Sequence, residues 1–286
     1  MVDDYSKGRV AIFTGKGSLP REIAEHLRAR GNAPFLVGIR SEYEPWIEGY
    51  DHVLLHWGQF GRFFKTLRRE SVTHILFAGG LTRPNINYFR LDFGAFKSLT
   101  RILRLMLAGD NTLLSGLIKE IENNGVKVLG AHEVMPELLA TVGVIAGKTP
   151  GKKSQQNIDR AVEACRMLGE LDIGQGAVAV GGRVIALEGI EGTDEMLRRV
   201  AELRASGRLR ENGCHGVLAK TMKPDQEMRA DLPAIGPDTV ENAYNAGLAG
   251  IAVEAGHSLV LEREKTLTLA RKHGIFIFGV SKLAGN

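Results

Sequence analysis

Val10-Ala11-Ile12-Phe13-Thr14-Gly15-Lys16-Gly17-Ser18-Leu19-Pro20 decides the fold: an uncharged apolar run, two closely spaced glycines and a proline suited to a first helical turn. The run predicts a buried strand over 10–13, and the next residues predict a helix from Arg21 to about Arg30, stopped by Gly31. The alternation continues outward. Apolar runs at 35–39, 52–55 and 74–78 read as further buried strands, with a helix over roughly 59–70. A helix starting near Asp110 or Asn111 leads to a strand at 126–129. Continuous apolar strands separated by helices imply a parallel sheet covered on both faces.

Between Val142 and Ser154, Gly, Pro and Lys concentrate, which places a linker there. The expected division is an N-terminal domain over 1–145, a linker over 146–153 and a C-terminal domain over 154–286. The second part is again mixed. It begins with a helix near 155–168 and a hairpin over 177–187 turning at Gly181-Gly182. A helix from Asp194 to about Ala205 follows, with Thr193 as its expected N-cap. Strands are expected at 216–219, 250–253, 258–261 and 275–278.

Composition narrows the class. Of 286 residues, 44% are hydrophobic and 24% charged, enough to build a core and to exclude disorder or a fibre. The formal charge of +4 lies within residues 1–151, too small an excess for a nucleic-acid binder. Only Cys165 and Cys214 are present, which excludes a disulfide framework and suits a reducing compartment. An acidic start and the lack of a long apolar run imply a soluble, cytoplasmic protein. The eight histidines show no zinc spacing, and His52, His56 and Cys214-His215 read as structural.

Two turns are candidates for phosphate. Gly15 and Gly17 allow backbone to approach an anion at a helix start, as in a dinucleotide-binding turn, although Pro20 replaces the third glycine. Arg40 stands where NAD enzymes carry an acid, which argues against NAD and leaves NADP open. No Tyr-x-x-x-Lys pair is present for ketone–alcohol chemistry. Ala78-Gly79-Gly80-Leu81-Thr82-Arg83-Pro84 follows a predicted strand on the same sheet edge and offers a hydroxyl and a guanidinium. The competing readings are a tight turn without ligand and a loop turning away from the core. Arg90, Lys97, Arg101 and Arg104 form a basic helical stripe opposite Phe96, Leu99, Ile102, Leu103 and Met106. Such a helix suits acyl chains or a membrane surface, or is simply packed on a core.

The densest reactive run spans 220–233. Lys220, Lys223 and Arg229 stand among Asp225, Glu227 and Asp231, with Pro224 and Pro233 favouring a loop. Cations hold phosphate oxygens while a carboxylate holds Mg²⁺ or positions water, the mix that phosphoanhydride hydrolysis needs. The competing reading is a surface loop whose charges pair with one another. Glu188 and Glu191 are further candidate metal ligands.

Together these segments resemble the UDP-2,3-diacylglucosamine pyrophosphatase family of the LpxI type, over nearly the whole chain. The resemblance rests on Gly15-Lys16-Gly17-Ser18-Leu19-Pro20, Gly79-Gly80-Leu81-Thr82-Arg83-Pro84 and Gly109-Asp110-Asn111-Thr112-Leu113-Leu114. It rests further on Asp172-Ile173-Gly174-Gln175, Glu188-Gly189-Ile190-Glu191-Gly192-Thr193-Asp194 and, most specifically, the 220–233 run. The chain departs from the family pattern at Asn111, where a second Asp is expected, and at Glu227, where the pattern reads Asp.

The resemblance implies an α/β protein: a Rossmann-like N-terminal domain with a parallel sheet, plus a second, mixed α/β domain, with substrate held between them. It implies a metal-dependent hydrolase of UDP-2,3-diacylglucosamine giving UMP and 2,3-diacylglucosamine 1-phosphate, in lipid A biosynthesis. On that basis Asp225 is expected to hold Mg²⁺ or another divalent cation and to act in catalysis with Lys220 and Lys223. Gly15, Gly17, Ser18, Gly79, Gly80, Thr82, Arg83, Thr193, Gln226 and Arg229 are the expected substrate contacts. A transient contact with the inner-membrane surface and a homodimer are compatible with this reading. The rivals are an NADP-dependent oxidoreductase and a non-enzymatic glycolipid-binding protein.

Overall fold

The computed structural model describes residues 5, 8–80, 110–209, 215–224 and 226–281, with the backbone alone for 110–113. The chain divides into two compact units, one of residues 1–136 and 227–231 and the other of 137–226 and 232–286.

The first unit is built on five parallel strands: β1 (Arg9–Thr14), β2 (Phe35–Ile39), β3 (His52–Leu55), β4 (Val72–Ala78) and β5 (Lys127–Leu129). Their order is β3-β2-β1-β4-β5, the Rossmann arrangement, with the topological switch between β1 and β4. Helices α1 (Leu19–Ala29), α2 (Phe60–Arg69) and α3 (Asp110–Asn123) connect the strands. A short helix, α4 (Ala131–Val134), follows β5. Successive strand residues face opposite sides, so both faces need cover. Phe63, Phe64 and Leu67 of α2 and Ile118 and Ile121 of α3 pack with Ala11, Val37, Ile75 and Val128. Ile23, Ala24 and Leu27 of α1 are fully buried. Ala230, from the late segment, packs against the same core as α2 and α3.

In the second unit, β6 (Gly143–Ala146), β7 (Gly176–Val180), β8 (Arg183–Leu187), β9 (Gly216–Lys220), β11 (Leu248–Glu254) and β13 (Phe276–Val280) form a mixed sheet. Its order is β6-β13-β11-β9-β7-β8. The central β9, β11 and β13 are parallel, and β6, β7 and β8 run antiparallel to their neighbours. A separate parallel pair joins β10 (Ala234–Ile235) to β12 (Leu259–Val260). Helix α5 (Lys152–Glu170) lies on one face, where Ala177, Ala179, Ala219 and Ala252 let it approach closely. On the other face Val178, Leu218, Ile251 and Val253 pack with α6 (Gly192–Ala205), α7 (Pro237–Asn245) and α8 (Arg263–His273).

The expected hairpin forms, with Gly181 and Gly182 at φ 59° and 75°. Residues 143–146, beside the expected linker, are a strand paired with β13, and 147–151 connect it to α5 inside the second unit. The Gly-Pro-Lys composition there therefore belongs to a strand-to-helix turn. Helix α6 begins at Gly192 with Glu191 as N-cap, so Thr193 is not the cap; its hydroxyl turns instead to Glu188.

Candidate functional site

In the first unit the two glycine turns meet. Gly15 N–H donates to Ala78 O at 2.7 Å, and Lys16 and Gly80 exchange backbone hydrogen bonds of 2.8 and 3.0 Å. The pairing ties the ends of β1 and β4 together at the topological switch, where open α/β sheets receive ligands. It requires glycine. A Cβ on Gly15 would stand 2.5 Å from Gly80 O, and one on Gly79, whose φ is 84°, 2.5 Å from Lys16 O.

The Gly15, Lys16 and Gly17 amides are already used. Gly17 N–H donates to Glu44 Oε1 at 3.2 Å, and Trp46 Nε1–H donates to Glu44 Oε2 at 3.2 Å. A phosphate at Gly17 would have to replace that carboxylate. Ser18 precedes α1 without a side-chain cap, its carbonyl accepting Glu22 N–H. Thr82, Arg83 and the basic stripe from Arg90 to Arg104 lie outside the described residues.

In the second unit, polar side chains gather where β9 and β11 end. Lys220, the last residue of β9, is 7% exposed and donates from Nζ to Ala234 O at 3.1 Å. Lys223 Nζ lies 2.7 Å from Asp172 Oδ1. Gln226 is buried and fully engaged: its Oε1 accepts Lys223 N–H at 2.9 Å, and its Nε2 donates to Gln175 Oε1 at 3.3 Å. Its side chain shapes the loop through these bonds. Thr221 N–H donates to Gln175 O, and Met222 N–H to Glu254 Oε2 at 3.1 Å. Thr193 Oγ donates to Glu188 Oε1 at 3.1 Å beside the start of β7, where a Cβ on Gly176 would stand 2.2 Å from Glu188 Oε2. Lys220, Lys223 and Gln226 thus share one edge with Asp172, Gln175 and Glu254.

Arg229 is grouped otherwise. It belongs to the first unit, where Nε and Nη2 form a fork on Glu227 at 2.9 and 3.0 Å, and Nη1 donates to Glu122 at 2.7 Å. The hydrogen bonds from Arg229 hold the Glu227 carboxyl below its ordinary pKa, only partly opposed by burial. The same contacts raise the Arg229 guanidinium further. This fork is occupied by carboxylates.

Asp225, the expected metal ligand, lies outside the described residues. Among the described residues no three His, Cys, Asp or Glu side chains group as a metal site would require. Of the nearby carboxylates, Asp172 pairs with Lys223 and Glu254 accepts from Met222. Glu188 accepts from Thr193 through Oε1, while its buried Oε2 has no hydrogen-bond partner among the described residues. The described residues alone do not make a cation site. Burial pushes the Cys165 thiol up to about 12, so it stays protonated and inert. A groove of about 690 Å³ between α5 and β13, lined by Val142, Ile158, Met167 and Val280, includes none of the expected site residues.

Sequence reading missed Glu254, because the expected strand stopped at Val253, and Glu44, which carries no motif of its own. Asp172 and Gln175 were quoted without a role; the left-handed backbone of Asp172, φ 52°, marks a special position only once the structure is seen.

Strand order and charged strand ends define the class: a two-unit α/β protein, one unit Rossmann-like and the other built on a mixed sheet. The models of the LpxI N-terminal domain and the LpxI C-terminal domain match residues 9–138 and 141–278. The chain is 41% identical over 272 residues to UDP-2,3-diacylglucosamine pyrophosphatase LpxI of Caulobacter vibrioides, spanning 95% of this chain and 97% of that protein. It belongs to the LpxI family.

Proposed function

We propose that this chain hydrolyses the pyrophosphate bond of UDP-2,3-diacylglucosamine, releasing UMP and 2,3-diacylglucosamine 1-phosphate for lipid A biosynthesis. The observation that carries the reading is the 41% identity to the Caulobacter vibrioides pyrophosphatase along 95% of the chain. It outweighs the oxidoreductase reading, which rests on the Gly15–Pro20 turn and Arg40, and the lipid-carrier reading, which rests on the Arg90–Arg104 helix.

In this proposal Lys220 and Lys223 act on the diphosphate, and Gly17, Ser18, Gly80 and Thr82 are among the substrate contacts. Cations and amides aimed at developing phosphoryl charge supply most of the catalysis in such reactions. Asp225 is proposed to act with a divalent cation, Mg²⁺ or another, which when bound neutralises part of the diphosphate charge. Among the described residues no helix is long and apolar enough to cross a membrane. We place the reaction on the cytoplasmic side, with transient contact at the inner-membrane surface where a diacylated substrate resides.

The test is direct. Purified protein is incubated with UDP-2,3-diacylglucosamine, with and without a chelator, and UMP is measured. Release of UMP that stops on chelation and returns with Mg²⁺ is expected. Absence of UMP under all conditions would end the proposal, and release indifferent to chelator would remove its cation.

A further inference from the structure

Glu254 ends β11 with only 5% of its surface exposed. Its nearest neighbours along the sheet edge follow from the register: Val253 pairs with Lys220 and Glu254 with Val280. Burying a carboxylate costs free energy, and an apolar residue beside Val280 would pack there without that cost. What the carboxylate does at this place is accept a hydrogen bond. Strand β9 stops at Lys220, and Met222, two residues further, donates its N–H to Glu254 Oε2 at 3.1 Å. The chain's exit from β9 is thus set by the end of its neighbour strand.

The next bonds extend from that anchor. Lys223 N–H is held by Gln226 Oε1, Gln226 N–H returns to Lys223 O at 3.2 Å, and the Gln226 amide is held by Gln175. Met222 is the first residue of this stretch bound from β11. On the other side of Glu254, His257 Nδ1 is 4.0 Å from Oε1 and also faces Ala255 O at 3.2 Å.

We propose that Glu254 is a positioning residue for the reaction: its buried carboxylate holds the Met222 amide and so sets the course of the loop that carries Lys223. The role in turnover rests on the hydrolysis proposed above. It needs an acceptor oxygen at this place and does not need its negative charge.

Three full-length variants test it. Glu254→Gln keeps an acceptor oxygen, Glu254→Met keeps volume without one, and Glu254→Ala removes both. Two quantities are measured, UMP release as kcat and KM, and hydrogen exchange at the Met222 amide. For the Met and Ala variants kcat is expected to fall roughly 10- to 100-fold with KM within about threefold, the scale of a misplaced catalytic group. Met222 exchange should quicken in both, and Glu254→Gln should restore kcat to within about threefold together with the slow exchange. Glu254→Met keeps the test informative where Glu254→Ala fails to fold. A Gln variant as inactive as the Met variant, with Met222 still protected, would overturn the proposal in favour of a role for the charge. Wild-type kcat in the Met variant would overturn it as well. Were the wild type to release no UMP, the proposed function would fail. The anchoring would then be judged by exchange alone, and unchanged protection of Met222 in the Met variant would refute it.

Discussion

Lys223 and Asp172 form an ion pair of 2.7 Å across two loops, and Asp172 makes it from a left-handed backbone with φ 52°. The carboxylate side is half exposed, so the pair itself contributes little stability. A diphosphate carries more charge than one carboxylate and can take the ammonium from it. Asp172→Asn is therefore expected to cost less than about 1 kcal/mol and to move KM by less than about threefold. Lys223→Met removes the cation and should lower kcat about tenfold or more. Denaturant unfolding and steady-state UMP release check both values. Equal kinetic losses in the two variants would show that the pair acts as a unit.

The Arg229 clasp predicts how acid acts on the first unit. The folded state keeps Glu227 ionised below its ordinary value of 4.5, because Arg229 donates to it. An unfolded chain would protonate it near 4.5, so the contribution is complete above that pH and fades as acid protonates the folded carboxyl. Arg229→Met is expected to cost about 1–2 kcal/mol at pH 7, and less at pH 3. Thermal melts of wild type and variant between these two pH values should converge toward the acid end. A constant gap would assign the loss to packing of the arginine stem.

At the meeting of the glycine turns, stability and ligand contact separate by position. Gly79→Ala combines a left-handed backbone with a Cβ 2.5 Å from Lys16 O, and should cost about 2–5 kcal/mol. Gly80 has open space around its Cβ direction and no positive φ, so Gly80→Ala should leave stability within about 0.5 kcal/mol. Any rise in KM in the Gly80 variant would then report the substrate rather than the fold. Unfolding curves and KM values for the pair decide this, and an unchanged KM in a stable Gly80 variant would remove that residue from the proposed contacts.

Much of this architecture was legible in the residues themselves. The apolar runs at 35–39 and 52–55 gave β2 and β3 with their observed bounds. Strand β2 is buried at every position, whereas the edge strand β3 begins at exposed His52 and is marked by its apolar Val53 and Leu55. Gly181-Gly182 gave the hairpin, because both φ angles must be positive there. Thr193 misled. Its hydroxyl donates to Glu188, five residues earlier, rather than to the helix start, and a cap pattern does not report such a partner. Arg229 and Gln226, expected as substrate contacts, are bonded to other side chains of the protein. Polar side chains in a loop mark ligand contacts and loop scaffolding with the same letters, and only the partners tell them apart. Glu254 was invisible because a carboxylate after a strand ordinarily signals the strand's solvated end.

Gly169 offers the sharpest separation of stability from turnover. It lies in the last turn of α5, and a Cβ there would stand 3.2 Å from Pro224 Cδ and 3.3 Å from the Lys223 Cα. Alanine at a helical position gains up to about 1 kcal/mol over glycine. The same methyl is tighter against the loop than ordinary contact, so Lys223 and Pro224 must shift by a few tenths of an ångström. Catalysis depends on placement at that scale, whereas a loop yields to it at small energetic cost. Gly169→Ala is thus expected to melt at the wild-type temperature or above it while kcat falls about fivefold. A variant both stable and fully active would mean that the Lys223–Pro224 backbone tolerates displacement and that Lys223 takes no part in the reaction that depends on its position.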